Sequence, residues 1–136
     1  MTNMPDYTDE KYHYDTSIIS IRTIAHRESF PSLPANTIII EMVGELNLYS
    51  TPAFKDILNN VYDTGVRKIL LSLQSLQYVD SSGLGVILGF QSKLSKDDGY
   101  ICICSPTESV LAVLELTKLK QIMKIRNSLE EALQEL

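Results

Sequence analysis

Apolar positions along the chain come in two rhythms that take turns. Ile18-Ile19-Ser20-Ile21-Arg22-Thr23-Ile24 is β-branched and partly alternating, the pattern of a strand. His26 to Asn36 carries Pro31 and Pro34 and reads as a loop. Thr37-Ile38-Ile39-Ile40-Glu41-Met42-Val43 is a second, more buried strand, which Gly44 ends. Ser50-Thr51-Pro52 then sets a hydroxyl ahead of Pro at a first helical position. Phe54, Ile57, Leu58 and Val61 follow at helical spacing, and Gly65 closes that helix. Lys68-Ile69-Leu70-Leu71-Ser72-Leu73 is nearly all apolar, as expected of a strand covered on both faces.

The alternation continues. A second helix starts around Ser81–Gly83 and runs to about Lys96, carrying Leu84, Ile87, Leu88, Gln91 and Leu94. Asp98-Gly99 turns the chain into a strand at Tyr100–Cys104. Ser105-Pro106-Thr107-Glu108 reads as a capping box with Ser at the N-cap, ahead of a helix burying Val110, Leu111, Val113 and Leu114. Ile122-Met123-Lys124-Ile125 is a short strand, and Ser128-Leu129-Glu130-Glu131 caps a last helix presenting Leu129, Ala132, Leu133 and Leu136. The order β-β-α-β-α-β-α-β-α predicts an α/β domain with a mixed, mostly parallel sheet of four to five strands and about four helices. The first β-β pair is antiparallel, because its loop is too short for a helical crossover.

Composition sharpens this picture in a few places. The 136 residues fit one domain, and 44% hydrophobic residues suffice for a core. Residues 1–16 stand apart: Asp6, Asp9, Glu10 and Asp15 face one base, Lys11, without periodicity, which predicts a mobile acidic tail before a domain over 17–136. A net charge of -5 with no Lys/Arg cluster makes a poor partner for nucleic-acid phosphates. No apolar run of membrane-spanning length occurs, and the N-terminus is not expected to be a secretory signal or to carry a lipid. Cys102 and Cys104 read as two small buried side chains in a reduced, cytoplasmic protein. With only His13 and His26 beside them, neither a metal site nor a disulfide framework is expected.

Candidate chemistry concentrates in Tyr78-Val79-Asp80-Ser81-Ser82-Gly83-Leu84-Gly85-Val86-Ile87-Leu88-Gly89-Phe90. Polar Asp80, Ser81 and Ser82 lie where a helix begins, and free backbone N–H groups there favour an anion. Gly83, Gly85 and Gly89 each cost roughly 1 kcal/mol of helix propensity relative to Ala, which points to a close approach. Capping by Ser and Asp with helix–sheet packing by glycine accounts for the same residues. Enzymatic motifs do not fit. A nucleophile elbow lacks its first glycine, and no histidine follows Ser81 to complete a triad. No glycine precedes a lysine as in a phosphate-binding loop, and the third glycine sits one position late for a dinucleotide fingerprint.

The block Asp80-Ser81-Ser82-Gly83-Leu84-Gly85-Val86-Ile87-Leu88-Gly89 resembles the signature of the STAS domain, specifically that of bacterial anti-sigma factor antagonists. Gly44-Glu45-Leu46 resembles the second landmark of that family, and the element order agrees from Ser17 to Leu136. The resemblance implies a binding protein rather than an enzyme, with no cofactor. Its partner would be an anti-sigma factor that is also a serine kinase, and a PP2C-type phosphatase would reverse the modification. The phosphoacceptor it implies is Ser81, in an environment of Asp80, Ser82, Gly83 and Asn47. Phosphate adds about -1.5 to -2 charge at pH 7 and three acceptor oxygens, so it would act beside Asp80 on the surface a partner meets. Ser82 is expected to cap the helix or orient the loop. Asn47 departs from the Asp the family usually shows: it either changes the charge near the serine or only shapes a turn.

Loops leaving the C-terminal ends of parallel strands collect binding residues. Glu45, Asn47, Tyr49 and Ser50 are therefore expected to share one partner-binding face with the Ser81 helix start, extended by Leu84 and Val86. Two other readings stay open: a STAS scaffold or accessory subunit of a stress-signalling assembly or lipid transporter, and a small-ligand site at the helix start.

Overall fold

The computed structural model describes residues 5–24 and 33–136. Along the chain run β1 (His13–Asp15), β2 (Ile19–Ile24), β3 (Thr37–Leu46), α1 (Thr51–Tyr62), β4 (Lys68–Val79), α2 (Ser81–Ser95), β5 (Tyr100–Cys104), α3 (Glu108–Leu116), β6 (Lys124–Arg126) and α4 (Leu129–Gln134). Short 3-10 turns occupy Glu10–Tyr12 and Leu119–Gln121. Met1–Met4 of the expected tail, and His26 and Pro31 of the expected loop, lie outside the described residues.

The strands form one sheet in sequence order, β1-β2-β3-β4-β5-β6. β1, β2 and β3 pair antiparallel, and β3 through β6 pair parallel. Because each parallel strand lies next to the one before it, crossovers of one hand land on one face. Phe54 and Leu58 of α1, Ile87 and Leu94 of α2 and Val110 and Leu114 of α3 accordingly share a single core with Ile40, Leu71 and Ile103. The opposite face holds a smaller cluster in which Ala132 of α4 packs on Ile39, Leu70, Cys102 and Cys104. Both cysteines are free and buried, with their sulfurs 3.9 Å apart. They fill space under α4, as the strand alternation suggested.

The sixth strand corrects the expectation of four to five, and it comes from the segment read as a mobile tail. Tyr12 is buried, 3% exposed, and β1 pairs with β2 through His13, Tyr14 and Asp15. Tyr7 Oη lies 2.6 Å from Thr64 Oγ1, and Asn60 Nδ2 donates to Lys11 O at 2.8 Å. His13 Nε2 donates to the Tyr7 carbonyl at 2.5 Å. Residues 5–16 are thus a strap fixed to α1 and to the sheet edge. Charge composition misled here because two aromatic side chains and a backbone ladder, not an apolar run, hold the strap.

Other boundaries move for local reasons. β3 does not end at Gly44 but passes through it to Leu46, with register shifts on either side. Gly44 has φ +113°, and a Cβ there would lie 2.2 Å from the Ile18 carbonyl oxygen, so this glycine serves a close approach inside an irregular strand. β4 runs on to Val79 to follow it. The N-cap of α3 is Thr107, not Ser105: its Oγ1 accepts from Val110 N and donates to Leu76 O at 2.8 Å. Ser105 instead takes φ +54° and donates to Asn127 O at 3.2 Å. Ile122 lies outside β6 and is exposed.

If the strap is part of the fold, truncating its buried aromatic should be costly. Tyr12→Ala is expected to destabilise by about 3 kcal/mol in urea unfolding, in line with large core truncations. A mobile tail would leave the midpoint unchanged.

Candidate functional site at the start of helix α2

β3 and β4 end side by side, with Glu45 beside Tyr78 and Leu46 beside Val79. The chains leaving them are tied together at once, since Asp80 N–H donates to Leu46 O at 3.1 Å. Asp80 has extended backbone (φ -102°, ψ -177°) and caps α2. Its Oδ1 accepts from Ser82 N at 2.9 Å, from Gly83 N at 3.1 Å and from the Ser82 hydroxyl at 2.5 Å. Burial disfavours the ionised carboxyl, but these bonds outweigh it and hold Asp80 below the ordinary aspartate value.

The loop before α1 is built around Asn47. Its Oδ1 accepts from Tyr49 N at 2.9 Å and Ser50 N at 3.2 Å, and its carbonyl accepts from Thr51 Oγ1 at 2.8 Å. Thr51 Oγ1 in turn lies 3.1 Å from Ser82 Oγ. Asn47, Thr51, Ser82 and Asp80 therefore form one chain of polar contacts joining the starts of α1 and α2. The turn-shaping reading of Asn47 describes what its side-chain oxygen does. Thr51 was not singled out from the sequence; its hydroxyl, set directly before Pro52, was the available signal.

Within this network Ser81 differs. It occupies the first helical position and is exposed, whereas Asp80 and Ser82 make the bonds that hold the turn. Glu45 is exposed too, Tyr49 and Leu48 are 80% and 65% exposed, and Val86 is half-buried. Two predicted members of the face are not on the surface. Ser50 is buried because its hydroxyl donates to Glu45 O at 3.0 Å and accepts from Asn47 N at 2.9 Å. Leu84 is buried because it belongs to the stripe with Ile87 and Leu94 that α2 turns to the sheet. Sequence reasoning had missed Leu48, whose side chain is exposed next to Tyr49.

The expectation of free N–H groups at this helix start also changes. The donors of Ser82 and Gly83 are already engaged by the Asp80 carboxylate, so the positive helix end carries its own anion. The glycines split into two kinds. A Cβ on Gly83 would lie 2.7 Å from Leu46 Cδ2 and 3.0 Å from Val79 Cγ2, so Gly83 serves helix–sheet packing. Gly85 and Gly89 are exposed and face open space, and with Ser81 they fall at successive helical repeats on one outer stripe.

The chain has counterparts among known proteins. The STAS domain family model matches residues 32–132. A Thermotoga maritima protein, provisionally described as an anti-sigma factor antagonist, is 34% identical over 108 residues, covering 78% of this chain and 96% of that protein. The anti-sigma-B factor antagonist of Staphylococcus aureus is 29% identical over 67% of this chain and 84% of its own length. Among solved structures, the anti-sigma factor antagonist SpoIIAA in its unphosphorylated form superposes with a TM-score of 0.64 at 26% identity, covering 74% of this chain and 87% of that one.

Two outcomes follow from the packing and the cap. Gly89→Ala is expected to raise stability by about 0.5–1 kcal/mol, while Gly83→Ala lowers it through the contact with Leu46, both read by chemical denaturation. Asp80 has a folded-state pKa below the ordinary 3.8, so its contribution is complete above that value and lost as pH falls through the folded one. Asn is also a good cap. Asp80→Asn should therefore flatten the fall of the thermal midpoint below about pH 4, and equal slopes for the two proteins would contradict the assignment.

Proposed function

The chain belongs to the STAS domain family and is related to its anti-sigma factor antagonists, and on that premise we propose that it binds an anti-sigma factor and is switched by phosphorylation of Ser81. The observation that carries this reading is the division of labour in the Asp80–Ser82 turn. Asp80 and Ser82 are spent on structure, and Ser81 alone presents an exposed hydroxyl beside them. Modifying it breaks none of the bonds that hold the turn. Phosphorylation state is a property by which the related SpoIIAA structure is described.

The chemistry belongs to the partner, an anti-sigma factor acting as a serine kinase. The Ser81 oxygen attacks the γ-phosphorus of ATP, the bond to ADP breaks, and the hydroxyl proton passes to a base of the kinase. This chain contributes a positioned nucleophile and no catalytic group. A PP2C-type phosphatase would restore the hydroxyl. In the unmodified protein, the exposed Leu48 and Tyr49 of the neighbouring loop offer apolar contact and the smooth Ser81–Gly85–Gly89 stripe allows a close approach. A phosphate on Ser81 brings a charge of about -2 to a surface that already carries Asp80 and Glu45, so an apolar or acidic partner face is repelled and desolvation becomes costly. The site of action is cytoplasmic, where such regulators and ATP coexist.

Incubation with ATP and each anti-sigma kinase of the same organism, followed by mass spectrometry, tests this. One added phosphate is expected on Ser81, absent in Ser81→Ala. Ser81→Glu should bind the unliganded kinase at least tenfold more weakly, about 1.4 kcal/mol. Phosphate on another residue, or none with any kinase, would overturn the proposal.

A further inference from the structure

The sheet retains an area that no described helix covers. Helices α1 to α3 share one face, and on the other α4 sits over Ile39, Leu70, Cys102 and Cys104. Beyond α4, toward the Ser81 end, the outward residues of the first four strands fall into rows. Asp15 stands beside Ser20, Ser20 beside Val43, and Val43 beside Ser75. One row closer to Ser81, Glu45 N–H donates to Ile18 O at 3.0 Å, and Glu45 stands beside Tyr78. The chain neighbours Ile19, Leu46 and Val79 are buried in the main core, which turns Ile18, Glu45 and Tyr78 the other way. Ile18, Val43 and Tyr78 are 43%, 42% and 47% exposed, three large apolar side chains in adjacent rows with Asp15 and Glu45 among them.

We infer that this open sheet face is a second docking surface, taken by a segment of the anti-sigma factor that carries apolar side chains together with Lys or Arg. The inference rests on the reading that the Ser81 face binds that partner. Charge selects the occupant. Glu41, one row further in, is paired with Arg22 at 3.9 Å, while Asp15 and Glu45 stand without an ion pair among the described residues. Cationic groups on the visitor would answer them. Size places the surface in a larger contact, since three apolar side chains fall well short of the roughly 1,200–2,000 Å² of a stable interface. Position supplies that larger contact: Tyr78 and Glu45 each lie two residues before Asp80 and Asn47, so a partner crossing the strand ends meets both faces. A second copy fits poorly. A two-fold contact would press two copies of the same patch together, each bringing Asp15 and Glu45, in a chain of net charge -5.

The test is calorimetric titration of each purified anti-sigma factor of the same organism into wild type, Val43→Thr/Tyr78→Thr, Asp15→Asn and Ser81→Glu, with thermal midpoints and sedimentation velocity alongside. The double variant is expected to bind at least tenfold more weakly with an unchanged midpoint. Asp15→Asn should lower affinity about threefold at low salt and lose that deficit at high salt. Should the double variant fail to fold, Ile18→Thr gives the same reading. Open-face variants that bind like wild type, while Ser81→Glu weakens binding, would overturn this inference and leave the proposed function standing. No binding by wild type to any anti-sigma factor would overturn both. A wild-type dimer that Val43→Thr/Tyr78→Thr dissociates would assign the face to a second copy and overturn it as well.

Discussion

One carboxylate organises the functional end of this domain. Asp80 caps α2 through two backbone N–H groups and holds Ser82 by its hydroxyl. Its own backbone N–H is bound to Leu46. The loop ahead of α1 and the start of α2 are therefore one rigid unit, although 31 residues separate Thr51 from Ser82. Such a group is worth more than its cap alone, because the Ser82 hydroxyl it holds also meets Thr51 of the other segment. The exposure of Ser81 follows from it: once Asp80 and Ser82 satisfy the turn, the first helical residue is left facing outward.

Topology decides that this end is a surface rather than a cleft. Clefts in open α/β sheets arise where strand order reverses. Here the order runs straight from β1 to β6, so no reversal opens a crevice at the strand ends. Binding must then rely on what projects from the loops and on the uncovered sheet. Under the proposed function, these are the parts a partner protein would meet.

The legible parts of the fold were those with a strong period. The stripes Phe54–Ile57–Leu58–Val61 and Leu84–Ile87–Leu94 lie on buried helix faces as read. What escaped had its period broken by close approach. In β3, Met42 and Leu46 remain on the core side across Gly44, but the glycine looked like a stop. In β4, the core residues Leu73, Leu76 and Val79 fall three apart because of the irregular register, a spacing that no strand template detects. The strap alternates Tyr12 and Tyr14 inward with His13 and Asp15 outward, too short a run to stand out among acids. It also precedes the residues matched by the family model, so the resemblance carried no information about it. At the site, capping rules made the Asp80–Ser82 turn readable as a helix start, and the family resemblance, not the capping, singled out Ser81. Ser50 and Leu84 were not surface residues, since a loop hydroxyl can serve the loop and a leucine near a helix start can face the sheet.

Electrostatics then sets how a phosphate on Ser81 would act. A helix N-terminus presents roughly half a positive charge, worth about 0.3–1 kcal/mol to a nearby anion. Asp80 already supplies a full negative charge there, held ionised below the ordinary aspartate range. The helix end is thus net negative before any modification, and a phosphate finds no uncompensated positive charge to pull it inward. It also finds no bond to break, because Ser82 and not Ser81 donates to Asp80. With no bond to lose and no positive charge to seek inside the domain, the phosphate gives the fold little reason to change. The unbalanced term is the one outside it: added charge beside Asp80 and Glu45 that any approaching surface must desolvate. On the proposed function, such a switch would work through the partner's approach, and its strength would be set by how apolar or acidic that partner's face is.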